Sequence, residues 1–368
     1  MRGLYVHVPF CARKCAYCDF YSLADRQDLI DPYIDAVLIE ARAYAGLSFD
    51  TLYLGGGTPG LLGAGCLKRL LDGLRGSFDL PRLIEATIEV NPESATTELL
   101  QAALGAGLNR VSVGVQSISD DELQRVGRIH SAAQAVEAIS QARRVGFANV
   151  SADVIVGLPG QRWETLRATL GKLVELGVNH LSVYCLSLEH DAPLAMNPPD
   201  DLPSDDEQAE LFEQACPFLQ EKGFTHYEIS NLALGGFECL HNMNYWRGGE
   251  YLGLGPAAAS HLDGRRFKNR SDLEAYLRHP AGVVEEVEQL SAKEKAAEEA
   301  MLRLRLLSEG LPADDLAARF GIDNTKELIH RLDQMVADGL LTRNGSIYCM
   351  VSSRVLTSNP IFARVLLG

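Results

Sequence analysis

Short apolar runs closed by glycine or proline recur along the first 230 residues, spaced so that one helix fits between each pair. They are "LYVHVPF" (4–10), "TLYLGGG" (51–57), "ATIEVNP" (86–92), "RVSVGVQ" (110–116), "ADVIVGLPG" (152–160), "LSVYCLSL" (181–188) and "THYEIS" (225–230). Runs that are apolar on both faces read as buried parallel strands. The stretches between them have helical period, at 31–45, 97–108, 131–146 and 164–177, and each closes near a glycine, as helix C-termini often do. Such alternation admits two architectures, a parallel β/α barrel or a doubly wound sheet.

The pattern changes further on. "PPDDLPSDD" (198–206) reads as a solvated acidic loop before one more helix, and 236–285 reads as irregular, rich in glycine, aromatics and histidine. Ser291 followed by Glu294 fits a capping box opening a helix through Ser308, with further helices expected at 313–320 and 325–338. Asn344-Gly345 then predicts a hairpin on a type I′ turn. Helix, helix, helix, hairpin is the order of a winged-helix-like module. The net charge of −15 over 368 residues repels phosphate backbones and anionic lipid, and this module has no basic excess, so DNA binding is set aside in favour of a structural or docking role. No apolar run approaches eighteen residues and no charged-then-apolar leader opens the chain, so the expected location is the cytoplasm.

In a parallel β/α domain, ligands gather at the carboxyl ends of the strands, and the unusual residues of this chain fall there. Cys11, Cys15 and Cys18 follow the first strand and "GGGTP" (55–59) ends the second. Glu89, Asn91 and Pro92 end the third, Gln116 the fourth, and Asp153 with "GLPGQ" (157–161) lies on and after the fifth. Three thiolates in the spacing C-x3-C-x2-C point to zinc or to an iron-sulfur cluster. Zinc would need a fourth protein ligand, for which His7 is the nearby candidate, whereas a cubane on three cysteines leaves one iron open. The remaining cysteines (Cys66, Cys185, Cys216, Cys239, Cys349) read mostly as small buried apolar residues.

"CARKCAYC" with the motifs that follow it resembles the radical S-adenosylmethionine (SAM) superfamily, in its coproporphyrinogen dehydrogenase branch. The resemblance implies an α/β fold: a partial (β/α)6 TIM-type barrel, the radical SAM core, over 1–235. It also implies a connecting segment at 236–285 and a C-terminal helical, winged-helix-like domain over 286–368. It implies that Cys11, Cys15 and Cys18 bind a 4Fe-4S cluster whose fourth iron is chelated by SAM. It further implies that SAM is held by Tyr5, Tyr17, Gly56, Gly57, Thr58, Glu89, Gln116, Arg128 and Asp153. Carboxylates suit ribose hydroxyls, and an arginine can pair bidentately with the SAM carboxylate.

Within the branch, coproporphyrinogen dehydrogenases (HemN) carry a fourth cysteine two residues after the third and a substantial N-terminal extension. Here Phe20 occupies that position and the chain enters its first strand at Met1. Both features resemble the HemW-type haem chaperones, as does "HNMNYW" (241–246). That family implies haem as a further cofactor and a haem-accepting partner such as a membrane cytochrome subunit. It allows a homodimer and only transient membrane association. His241 is the expected axial ligand, with His261 and Cys239 as second choices and Arg247, Arg265, Arg266 and Lys268 as propionate partners. A packed structural corner is the competing reading of His241. The competing function is the radical SAM oxidative decarboxylation of coproporphyrinogen III.

Overall fold

The computed structural model describes residues 1–80, 83–189, 192–282 and 284–366. Six strands, β1 (Arg2–Val8), β2 (Thr51–Gly56), β3 (Glu85–Val90), β4 (Arg110–Gln116), β5 (Asn149–Val156) and β6 (His180–Cys185), lie side by side in chain order and all parallel. The helices α1 (Ile30–Ala43), α2 (Gly63–Ser77), α3 (Thr97–Gly105), α4 (Ala132–Val145) and α5 (Trp163–Glu175) connect them, and α6 (Asp205–Glu221) follows β6. Of the two architectures the alternation admits, the chain adopts the partial barrel.

The layering follows from side-chain pattern. β4 is buried along its whole length, with Val111, Val113 and Val115 fully enclosed, because helices cover one face and the barrel interior the other. Each helix turns one apolar stripe to the sheet; α1 buries Tyr33, Ile34, Val37 and Ala41. A fully buried residue of this size contributes about 1.5–3 kcal/mol.

Two readings of the sequence change here. "THYEIS" runs in the same direction as the six barrel strands but does not pair beside β6, because an antiparallel strand is inserted between them. Its core, β7 (Thr225–Glu228), pairs antiparallel with β8 (Asn231–Ala233), which in turn runs antiparallel to β6. The chain there makes a tight turn through Ile229 and Ser230, too short for a crossover. Nor is 236–285 irregular. It holds helix α7 (Leu240–Trp246) and strands β9 (Glu250–Leu254), β10 (Ala259–Leu262) and β11 (Arg265–Asn269), with β12 (Val284–Glu288) just beyond. β9 lies parallel to β1 on its outer side, and β10, β11 and β12 continue antiparallel from it. The resulting twelve-stranded sheet ends at β12 on one edge and β7 on the other, so the barrel stays open.

The C-terminal module comprises α8 (Ala292–Arg303), α9 (Ala313–Phe320), α10 (Ile322–Ala337), the hairpin β13 (Leu341–Asn344) and β14 (Ile347–Met350), and α11 (Ser358–Leu366). The Ser291/Glu294 capping box is present, although α8 stops at Arg303 and not Ser308. The hairpin pairs Asn344 with Ile347, leaving Gly345 and Ser346 as the loop, and of these two only Gly345 has positive φ (61°). That is the pattern of a type II′ turn, not the expected type I′.

Candidate functional site

The segment between β1 and α1 is a loop pinned on several sides. Leu23 N–H donates to the Pro9 carbonyl at 2.8 Å, Ala16 N–H to Val126 at 3.2 Å, and Leu194 N–H to Ala16 at 3.0 Å. The Gln27 side chain donates to the Cys11 carbonyl at 3.2 Å. These contacts carry Cys11, Cys15 and Cys18 to the carboxyl end of the barrel, where all three border one cavity of about 390 Å³.

Every residue that the resemblance assigns to SAM lines that same cavity: Tyr5, Tyr17, Gly56, Gly57, Thr58, Glu89, Gln116, Arg128 and Asp153. They come from five neighbouring strands, the cluster loop and, for Arg128, the segment after β4, so only the side-by-side pairing of the strands brings them together. "GGGTP" runs beside the end of β1, with Gly57 N–H donating to Val8 at 2.8 Å and Thr58 N–H to Phe10 at 2.7 Å. At Gly56, φ is +109° and a Cβ would come within 2.7 Å of the His7 ring, so packing as well as ligand approach requires glycine there. Gln116 closes β4 with φ of 64°, next to a register shift between Val113 and Gln116. A left-handed glutamine costs about 1–3 kcal/mol, and here the bulge aims its amide into the cavity.

Electrostatics inside the cavity are unusual. Glu89 accepts from the Tyr53 hydroxyl at 2.7 Å and the Gly56 N–H at 3.2 Å. Burial, with Asp153 nearby adding to it, pushes its carboxyl up to about 7. Asp153 is itself raised by burial, against hydrogen bonds from Ser182 and Ser112. Arg128 stays cationic because the Tyr17, Cys15 and Glu93 surroundings outweigh its burial. Three sulfurs, a glycine-lined wall, two carboxyls and a buried guanidinium form a donor set that fits a cluster together with a ligand bearing amine, carboxylate and ribose. Among the described residues no three His, Cys, Asp or Glu side chains are gathered tightly enough to close on a single metal ion, as zinc would demand.

His7 is not a metal-ligand candidate in this arrangement. Its Nδ1 lies 3.0 Å from the Tyr5 hydroxyl and its Nε2 2.8 Å from the Tyr21 carbonyl. Cys185 packs half-buried on the core and also borders the cavity beside Tyr184, and burial pushes its thiol up to about 11. Tyr184, Arg13 and Lys14 also line the cavity without having been assigned to it, and Asn91, marked in the sequence only as a strand-end residue, lines it too. Tyr184 lies mid-way along the sixth apolar run and reaches the cavity because β6 ends at Cys185, before that run does.

His241 lies elsewhere, at the opposite end of the barrel, and it is 1% exposed. Its Nδ1 is 2.8 Å from Thr51 Oγ1, its Nε2 is 2.6 Å from the Tyr245 hydroxyl, and its ring stacks on Tyr53 at 5.2 Å. Burial, with Arg110 adding to it, drives its pKa down to about 3. Both ring nitrogens are engaged, so His241 offers no free ligand, and the packed-corner reading describes its surroundings. Cys239 is fully buried, with its Sγ 3.5 Å from Glu85. His261 is half-buried, with Nδ1 3.2 Å from the Gly249 carbonyl. Of the four basic residues, Arg247 pairs with Glu309 and Arg266 with Glu298.

The starts of the strands explain this end. Thr51, Glu85, Arg110 and His180 are the first residues of β2, β3, β4 and β6, all buried and polar. Helix α7 covers them: Glu85 accepts the N–H groups of Leu240 and His241, each at 2.9 Å, and so caps the helix. His180 is bonded by Ser151 and Tyr227 at 2.8 Å each. The segment "HNMNYW" is therefore the floor of the barrel.

Comparison with known proteins places this geometry. The Radical SAM superfamily pattern matches residues 5–173 and the HemN C-terminal domain pattern matches residues 290–350. The heme chaperone HemW of Lactococcus lactis subsp. lactis is 33% identical over 99% of this chain and 97% of its own length. HemW of Escherichia coli is 36% identical over 92% of this chain and 91% of its own. In structure, the chain resembles the coproporphyrinogen III oxidase HemN of Escherichia coli, described as a radical SAM enzyme. The TM-score is 0.86 at 23% identity, covering 100% of this chain and 89% of that one.

Proposed function

Because the chain belongs to the HemW family of radical SAM proteins, we propose that it is a haem chaperone, binding haem and passing it to an acceptor protein such as a respiratory cytochrome. The observation that carries this reading is end-to-end likeness to named haem chaperones, through both the barrel and the C-terminal module. Phe20 supports it from the residue side. It stands 62% exposed at the rim of the cavity, in the position where the porphyrinogen-processing members carry a further cysteine.

In this reading Cys11, Cys15 and Cys18 hold a 4Fe-4S cluster, which when bound supplies an open iron for SAM and a one-electron centre. The other residues do conventional work. Glu89 and Asp153 accept from ribose hydroxyls, Arg128 balances negative charge beside Cys15, and Gln116 offers its amide to the ligand. Tyr5 and Tyr17 wall the cavity against water. Among the described residues no helix is long and apolar enough to cross a membrane, so an encounter with a membrane cytochrome would run through the acceptor. A homodimer is compatible with the same reading.

The test is anaerobic reconstitution of the cluster, then titration with haem followed by its Soret band, with coproporphyrinogen III, SAM and a reductant assayed in parallel. A saturable Soret shift without porphyrinogen turnover is expected. Catalytic formation of protoporphyrinogen would replace the chaperone reading by the oxidative decarboxylase one. Serine in place of any one of Cys11, Cys15 and Cys18 is expected to abolish the 4Fe-4S absorption, and its survival in all three variants would remove the cluster from this loop.

A further inference from the structure

Two of the three loop sulfurs receive a hydrogen bond from a side chain, and a single residue holds both donors. Thr58 Oγ1 donates to Cys11 Sγ at 3.6 Å, and Arg128 Nη1 donates to Cys15 Sγ at 3.5 Å. Asn91 stands between them. Its Nδ2 donates to Thr58 Oγ1 at 2.9 Å, and its Oδ1 accepts from Arg128 Nη2 at 2.8 Å.

The orientation of this network is fixed by its chemistry. A guanidinium has only donors, so Oδ1 of Asn91 must face Arg128, and Nδ2 is left to face the Thr58 hydroxyl. A hydroxyl that accepts from Asn91 turns its own hydrogen away, toward Cys11. Arg128 is clamped from a second side by the Gly114 carbonyl at 2.6 Å. Gly114 also leaves the space that Asn91 occupies, since a Cβ there would stand 2.7 Å from Oδ1. Asn91 itself is fixed at the start of a short helical turn, with its N–H donating to Ser94 Oγ at 3.1 Å.

We propose that Thr58, Asn91 and Arg128 form one hydrogen-bonded network that sets the reduction potential of the 4Fe-4S cluster, with Asn91 as the positioning residue. The proposal rests on the reading that Cys11, Cys15 and Cys18 carry that cluster. Hydrogen bonds to thiolate sulfur withdraw negative charge from the cluster, favour its reduced state and raise its potential. The network does this at two ligands at once, so a single side chain at position 91 governs both.

The experiment is a redox titration of the reconstituted full chain without SAM, using dithionite and mediators and following the reduced cluster by electron paramagnetic resonance. Thr58→Val and Asn91→Ala are each expected to move the midpoint to more negative potential, Asn91→Ala the further of the two, at unchanged iron and sulfide content. The double variant is expected to shift less than the sum of the singles, because both act through one network. Unchanged midpoints in both single variants, or additive shifts, would overturn the proposal. Where a variant fails to hold the cluster, the unmodified protein decides. Its iron-thiolate resonance Raman bands are expected to shift on exchange into D2O, and unmoved bands would rule the network out. An unmodified chain that assembles no 4Fe-4S centre would instead sink the cluster reading, and this proposal with it.

Discussion

Glu89 is the residue on which the pH behaviour of the cavity turns. Free of ligand, burial holds its carboxyl at about 7, against an ordinary value of 4.5. Where the ribose hydroxyls of SAM donate to Glu89, as proposed, they select the ionised form, so binding favours deprotonation. SAM affinity is expected to rise by up to about tenfold per pH unit below 7 and to level off above it, as calorimetric titration across that range would show. Glu89→Gln is expected to flatten the profile, and an unaltered slope in that variant would assign the dependence elsewhere. The stability of the ligand-free chain carries the opposite sign. A carboxyl raised in the folded state contributes fully below 4.5, and that contribution is lost as pH rises to about 7, which denaturant unfolding at several pH values would detect. Glu89, Asp153 and Gln116 were legible in the sequence because strand ends are marked by the apolar runs themselves. Tyr53 was not, because its contact with Glu89 depends on the inward-facing register that pairs it with Tyr5.

Among the elements, α7 departs furthest from what the sequence suggested. A histidine among aromatics beside basic residues matches a haem corner in composition, and nothing local distinguishes it from a plug. The distinction lies in Thr51, Glu85, Arg110 and His180, far apart in the chain and brought to one end of the barrel only by strand pairing. His241→Ala removes two buried hydrogen bonds and a ring stack and is expected to destabilise the chain by about 2–4 kcal/mol in denaturant unfolding. The Soret shift on haem titration is expected to persist in the folded fraction. Loss of that shift at unchanged stability would return the haem iron to His241. The C-terminal elements were more legible, since the Ser291/Glu294 capping box and the Gly345 turn are local signals, although the turn type differed, α8 stopped at Arg303, and α11 was not expected at all.

At the scale of the whole molecule, the C-terminal module is joined to the barrel through its floor. The Arg305 guanidinium lies 4.4 Å over the Trp246 ring and 5.3 Å from Phe362, and Ser308 N–H donates to the Tyr227 carbonyl at 3.2 Å. Arg305→Ala is expected to raise amide hydrogen exchange across α8 and α11 while leaving β2 to β5 protected; uniform loss of protection would mean that the module and barrel unfold as one. The parallel order of the first six strands was legible, but not the seat of the module, because Trp246 and Arg305 meet only when α7 is in place. The same floor has a further consequence. Tyr53 rests one face on His241 while its hydroxyl holds Glu89, so a single ring separates the sealed end from the ligand cavity. The cavity is thus closed from below, and Glu89 is reached from the side of the cluster loop. A ligand held against Glu89 lies deep in that cavity, so anything seated at the Phe20 rim above it would slow its release.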